Sequence, residues 1–194
     1  TTTDESTYDG EGRRLTSQDR AGRITQYVYD GVVRHRFTTY PDTSVVENRY
    51  DAAGRLVQTI DARLKSTFYE YDSAGRRKKA IDAQSHATEF FYDEVGNQTA
   101  VKDARGATTS FEYDDLNRRT KTVYPDLSFS TTAYDSLGRR TSETDQAGKV
   151  TQFRYDALGR LAKVIDAKLQ ETVYGYDELG NRVSQQDANL HTTS

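Results

Sequence analysis

The stretch YDSLGRRTSETDQAGKVTQFRY, residues 134–155, begins and ends on tyrosine, and its two tyrosines lie 21 positions apart. The interval holds along the whole chain. Tyr followed by Asp recurs at Tyr8, Tyr29, Tyr50, Tyr71, Tyr92, Tyr113, Tyr134, Tyr155 and Tyr176, always 21 residues on, without insertion or deletion. A fixed period of this length marks stacked copies of one supersecondary unit. Residues 1–194 therefore read as a single array of nine copies, and as a fragment of a longer one. The repetition also speaks against catalysis: an active site is one place, whereas Tyr-Asp occurs nine times.

Within the quoted stretch, Asp135 to Gly138 is turn chemistry. An Asp carboxylate bonds its own backbone two residues on, and Gly takes a positive φ at no steric cost. The same pair recurs as Asp51 and Gly54, Asp72 and Gly75, Asp93 and Gly96, Asp156 and Gly159, and Asp177 and Gly180. Asp114 is followed instead by Asn117, the next most tolerant residue in the left-handed region. The residue after this position is Arg in seven copies, Arg55 and Arg76 among them, and Asn97 or Asn181 in the other two. Val33 breaks the pattern while Gly31 lies close by, so the second copy is expected to build its turn differently.

A second turn signal falls eleven positions after each Tyr, as in Asp61-Ala62, Asp82-Ala83, Asp103-Ala104, Asp166-Ala167 and Asp187-Ala188, and more loosely at Asp19 and Asp145. Tyr40-Pro41-Asp42 and Tyr124-Pro125-Asp126 replace it in two copies. Pro presets φ for the second residue of a type I turn. Between the turns, Thr151, Phe153 and Tyr155 alternate with polar neighbours, as do Thr67, Tyr69 and Tyr71, and Thr109, Phe111 and Tyr113. Period two with aromatic and β-branched residues on one side is a half-buried antiparallel strand. The other segment of each unit ends on Ile60, Ile81, Val123 or Ile165, and its alternation leaves the inward face open.

Each unit is thus a β-hairpin and the fold class all-β: tandem hairpins in one long antiparallel sheet. Two strands per unit advance a sheet by roughly 10 Å. Sheets of more than ~10 strands curl or split, so the array is expected to coil or spiral. Thr1–Thr7 match the last strand of a preceding copy and Ser194 falls within the last strand of the ninth, so both edges are strands ready to pair with neighbouring repeats.

Composition narrows the function classes. The chain carries 29% charged residues with a net charge of −3, signs mixed along its length, which excludes the clustered Lys/Arg of a nucleic-acid surface. No apolar run approaches the length of a membrane span, and a sequence with neither a signal peptide nor an initiating Met reads as an excerpt or a processed chain. Hydrophobic content is only 34%, yet 14 Tyr and 7 Phe stand at fixed columns, which argues for order rather than disorder. There is no Cys, hence no disulfide or thiolate metal site.

Tyr155-Asp156-Ala157-Leu158-Gly159-Arg160-Leu161 and Asp103-Ala104-Arg105-Gly106, phased through nine copies, closely resemble the Rhs/YD repeats. That resemblance implies a large secreted or cell-surface protein, as in bacterial Rhs polymorphic toxins, insecticidal toxin complexes and teneurins. There the repeats form a spiralling β shell, hollow in the toxins, able to encapsulate a toxic domain. No self-cleaving core segment or variable toxic tail is recognisable in this chain.

Candidate sites are few. The Tyr-Asp-Arg constellation can in principle bind carbohydrate, but the structural reading needs less: Tyr packs, Asp caps its turn and Arg pairs with Asp. Carboxylates in adjacent copies, roughly 10 Å apart, cannot share a Ca²⁺ ion. Of His35, His86 and His191, the last two occupy one column five copies apart, cannot converge on one site and read as solvated side chains. No catalytic triad, phosphate loop or zinc spacing occurs, so catalytic, metal and cofactor assignments are all none. Asn97-Gln98-Thr99 is a possible glycosylation sequon. The leading expectation is a non-catalytic wall segment around a passenger; the rival is an extracellular fibre or adhesive array.

Overall fold

The computed structural model describes residues 4–193. Among the described residues there are nineteen strands and no helix, falling into two compact units. One comprises the residues up to Phe91 together with Lys102–Gly106; the other comprises Tyr92–Val101 and the residues from Ala107 onward. The sequence-based expectations for the chain ends rest partly on residues 1–3 and 194, which lie outside the described residues.

The first unit holds β1 (Glu5–Tyr8), β2 (Arg14–Gln18), β3 (Ile24–Tyr29), β4 (His35–Thr39), β5 (Val45–Tyr50), β6 (Leu56–Ile60), β7 (Ser66–Tyr71), β8 (Arg77–Ile81) and nearly all of β9 (Ala87–Tyr92). Each pairs antiparallel with the next. The second unit holds most of β10 (Gln98–Lys102), then β11 (Thr108–Tyr113), β12 (Arg119–Val123), β13 (Phe129–Tyr134), β14 (Arg140–Thr144) and β15 (Val150–Tyr155). It closes with β16 (Leu161–Ile165), β17 (Glu171–Tyr176), β18 (Arg182–Gln186) and β19 (Thr192–Thr193). From β11 onward consecutive strands again pair antiparallel. Each unit is therefore a meander of hairpins.

Both kinds of link have the same construction. After β13, the Asp135 N–H donates to the Arg139 carbonyl (2.9 Å) and the Gly138 N–H to the Asp135 carbonyl (3.0 Å). After β14, Asp145 and Lys149, then Gly148 and Asp145, repeat the pattern at 3.0 and 2.9 Å. This is the three-residue hairpin loop, a type I turn followed by one left-handed residue. All eighteen links place a positive φ at that position, ten on Gly and eight on other residues.

The second copy corrects the expectation drawn from Val33. Its turn is not built differently. Val33 itself takes the left-handed conformation (φ 72°), its N–H donates to the Asp30 carbonyl at 3.0 Å, and Gly31 has no positive φ. Asp30 Oδ1 accepts from both the Val32 and Arg34 N–H groups, at 3.0 and 2.9 Å. Gripped on both sides, the loop over-determines the intervening residue and holds even a β-branched side chain in a disfavoured region. Val33→Gly should accordingly stabilise the protein by about 1 kcal/mol, since relief of left-handed strain exceeds the added chain entropy; thermal unfolding measures it.

The links after the tyrosines differ in one respect. Tyr134 pairs with Arg140 but Ala133 with Ser142, so Thr141 is an extra, bulged residue. The same one-residue shift follows Tyr8, Tyr29, Tyr50, Tyr71, Tyr113, Tyr155 and Tyr176. Bulges of this kind bend the strand and disrupt the ladder locally. Beyond the bulge the ladder to the next hairpin is short: β14 and β15 pair only from Thr144↔Val150 to Ser142↔Gln152.

Burial is slight: among the described residues only Thr38 and Phe153 are buried. Thr67, Tyr69 and Tyr71 share one face of β7, and Thr151, Phe153 and Tyr155 the same face of β15. Ile81 pairs with Phe68, and Ile165 with Gln152, which places both on the face away from the tyrosines.

Candidate functional site: the inter-repeat seam

The aspartate after each tyrosine grips its own turn. Asp135 Oδ1 accepts the Leu137 and Arg139 N–H groups, both at 2.9 Å, while Oδ2 accepts Arg139 Nε at 2.7 Å. Asp114 with Arg118 and Asp156 with Arg160 repeat the arrangement, each Nε at 2.7 Å; Asp51 with Arg55 and Asp72 with Arg76 do so at 2.8 and 2.7 Å. The Arg guanidinium and then the backbone N–H hold the Asp114 and Asp156 carboxyls below the ordinary value of 3.8. At Asp51 the Arg55 N–H leads and its guanidinium follows.

The arginine also reaches forward to the next repeat. The guanidinium carbons of Arg118, Arg139 and Arg160 lie 4.6, 4.7 and 4.7 Å from the ring centroids of Tyr134, Tyr155 and Tyr176. Arg34 over Tyr50 and Arg55 over Tyr71 do the same at 4.8 and 5.0 Å. These are cation–π distances. Arg118 and Arg160 Nη1 further donate to the carbonyls of Asp135 and Asp177, at 3.3 and 3.1 Å.

The hydroxyls of seven repeat tyrosines then reach back, Tyr29 to the Arg14 carbonyl at 3.1 Å among them. Tyr155 Oη donates to the Arg140 carbonyl at 2.8 Å, on the residue just before the bulge of the previous hairpin. Tyr50 to His35, Tyr71 to Leu56, Tyr113 to Gln98, Tyr134 to Arg119 and Tyr176 to Leu161 follow suit, between 2.7 and 3.2 Å. Tyr92 closes β9 at the equivalent place. The physical reason lies in the short ladder. Where the bulge splays two hairpins apart, the ring fills the gap and its hydroxyl satisfies a carbonyl the ladder has left.

Sequence reasoning reached the Asp–Arg pair but missed the forward stack and the hydroxyl bond. The available signal was the invariance of the Arg-to-Tyr interval of 16 residues. A second cationic row escaped as well: Arg77 lies 4.3 Å from the Tyr69 ring centroid and Arg140 4.4 Å from that of Phe153.

The exceptions are instructive. Asn97 copies the arginine's grip, its Nδ2 donating to Asp93 Oδ2 at 2.9 Å, and also donates to Asn117 Oδ1 at 2.8 Å. Both amide hydrogens of the sequon asparagine are thus engaged within the fold. Asn181 grips Asp177 in the same way at 3.0 Å. Gly54, Gly75, Gly96, Gly138, Gly159 and Gly180 supply the left-handed link residues, as Asn117 does at φ 60°.

His86 and His191 are exposed and lie beside Asp82 and Asp187, at 3.1 and 3.4 Å. His35 is half-buried. Its ring packs against Tyr27 and Tyr29 and lies 3.0 Å from Thr38 Oγ1, because this column faces the aromatic side of the sheet.

The family model described as RHS Repeat matches residues 50–87, 92–127 and 134–168, more than half of the chain. No curated protein matches it. Among solved structures, the crystal structure of TcdB2-TccC3-TEV is similar with a TM-score of 0.70 and 16% identity over 95% of this chain and 11% of that one. The Tc holotoxin pore of Photorhabdus luminescens, with a mutation in TccC3, gives 0.59 and 15% identity over 95% of this chain and 13% of its own. At that identity the likeness is one of fold. The chain spans little more than a tenth of either. Its 21-residue hairpins and the matched model together place the chain in the RHS-repeat family.

Proposed function

We propose that this chain is a non-catalytic segment of the wall of a larger secreted protein, a β shell enclosing a passenger or toxin domain. All 194 residues belong to one array of nine copies, itself part of a longer one, and the Asp, Gly and Tyr columns serve as structural residues. The carrying observation is that the polar groups of the motif are consumed in joining hairpins. Asp grips its turn, Arg bridges two repeats, and Tyr closes the splay between them. A carbohydrate ligand at this motif would have to compete with the arginines already stacked on the tyrosine rings. The Tc holotoxin likeness supports a toxin-related, extracellular setting. Hollow ovoid particles in electron micrographs of the protein carrying this array are the expected result.

A second reading, an extracellular fibre, draws on the unbroken 21-residue phasing, which repeats one rotation at every step. Solid filaments of uniform width would overturn the shell in its favour.

A further inference from the structure

The forward stack of arginine on tyrosine is interrupted at one step. Six repeat tyrosines carry the guanidinium of the residue sixteen positions earlier, from Arg13 over Tyr29 at 5.6 Å to Arg118 over Tyr134 at 4.6 Å. For Tyr113 the residue in that place is Asn97. Its shorter side chain stays at the link, where Nδ2 donates to Asp93 Oδ2 and Asn117 Oδ1 at 2.9 and 2.8 Å. Among the described residues no cation lies over the Tyr113 ring, although its hydroxyl makes the usual bond to the Gln98 carbonyl at 2.9 Å.

Beside that ring lies a cleft of about 400 Å³, bordered by Asp93, Asn97, Phe111, Asp114 and Asp115. Its fittings are those that hold a guanidinium in other repeats. The Asp135 and Asp177 carbonyls each accept Nη1 of the preceding arginine, at 3.3 and 3.1 Å. In the equivalent place the Asp114 carbonyl accepts only the Asn117 N–H among the described residues, which leaves one of its two lone pairs unused. Asn97 Oδ1 likewise receives no donor among the described residues. Charge points the same way. Three carboxylates line the cleft and no Lys or Arg does. Asp114 is matched by Arg118 at 2.7 Å, whereas Asp115 is exposed and in no ion pair among the described residues. The two arginines that follow are already engaged, Arg118 over Tyr134 and Arg119 over Phe111 at 5.3 Å.

We propose that this cleft receives a guanidinium group from outside the array, the side chain of an arginine carried by another protein. The flat cation lies on the Tyr113 ring as Arg118 lies on Tyr134 one repeat further on, donates to the Asp114 carbonyl and pairs with the Asp115 carboxylate. Stacking and hydrogen bonding are then satisfied together, because a guanidinium presents its donors in the plane of the group and its face to the ring. A lysine meets the charge but cannot lie flat, and a neutral side chain of the same shape brings the donors without the charge. The inference rests on the seam between two hairpins and stands whether or not the array encloses a passenger.

Titration of the chain with Nα-acetyl-arginine methylamide, followed through the backbone amide resonances by heteronuclear NMR, tests it. Saturable shifts should concentrate at Asn97, Tyr113 and Asp115. The citrulline analogue, uncharged and of the same shape, should move none of them at the same concentrations, and the lysine analogue should bind several-fold more weakly. Asn97→Arg supplies the missing cation from within the chain, so it should abolish the response and raise the melting temperature. Asp115→Asn, at an exposed residue, should keep the wild-type melting temperature and weaken binding of the arginine analogue by about 3-fold. Should Asn97→Arg misfold, Asp115→Asn carries the test. No shift with the arginine analogue overturns the proposal, as does an equal response to citrulline or lysine. So does a folded Asn97→Arg chain that still responds, or an Asp115→Asn chain that binds as tightly as wild type.

Discussion

Removing residues 134–154 should leave a protein that melts as the parent does, whereas removing only residues 134–143 should lower its melting temperature. The longer deletion joins Ala133 to Tyr155. It restores the strand that ended on Tyr134 and brings a tyrosine under Arg118, which now stacks 4.6 Å from Tyr134. It also returns a hydroxyl to the Arg119 carbonyl, bonded at present by Tyr134 at 3.2 Å. The shorter deletion removes one strand and one link. The Asp145 link would then follow β13 directly, β15 would run where β14 ran, and every later tyrosine would end at the edge opposite Arg118. The seam would break at that step. Its loss is worth about 3–5 kcal/mol by the usual cost of removing a half-buried aromatic and its hydrogen bonds, a fall of roughly 10 °C in melting temperature for a chain of this length. Circular dichroism on heating distinguishes the two. Equal loss of β signal in both would rule out independence of the repeats.

Tyr155→Ala should cost about 3 kcal/mol and Tyr155→Phe about 1 kcal/mol. The phenylalanine variant keeps the ring under Arg139, at 4.7 Å, and gives up only the bond to the Arg140 carbonyl at 2.8 Å. Arg139→Lys should be costly in its own right, by about 1 kcal/mol, because a lysine cannot grip Asp135 through Nε while lying flat on the next ring. The decisive quantity is the coupling between the positions. Contacting residues in one network are non-additive by about 1 kcal/mol, so the Tyr155→Ala and Arg139→Ala pair should cost less together than the sum of the singles in chemical denaturation. Strict additivity would mean the stack carries no energy between repeats.

Hairpins, their length and the face bearing Thr151, Phe153 and Tyr155 were legible in the sequence because each follows from local chemistry. Asp and Gly at a fixed offset specify a turn, and alternation specifies a strand face. Val33 misled because a propensity rule describes a residue alone, whereas Asp30 constrains it from both sides. The bulge at Thr141 left no mark, since a bulged residue needs no special side chain when its backbone is held by neighbours. The stacking of Arg139 on Tyr155 was invisible for a related reason. It depends on the splay the bulge creates, a geometry that exists only once two hairpins lie side by side.

The aspartate grip on the links has an evolutionary corollary. Asp61 accepts the N–H groups flanking Leu64, and Asp166 those flanking Leu169, all at 2.8 Å, just as Asp135 does around Gly138. When the loop is dictated by a neighbour, the identity of the tip residue is released from any duty to shape it. Such positions form an addressable margin, open to mutation toward new contacts while the scaffold underneath keeps its form. A lineage could thereby rewrite what its repeats touch, one tip at a time, without first solving the folding problem again.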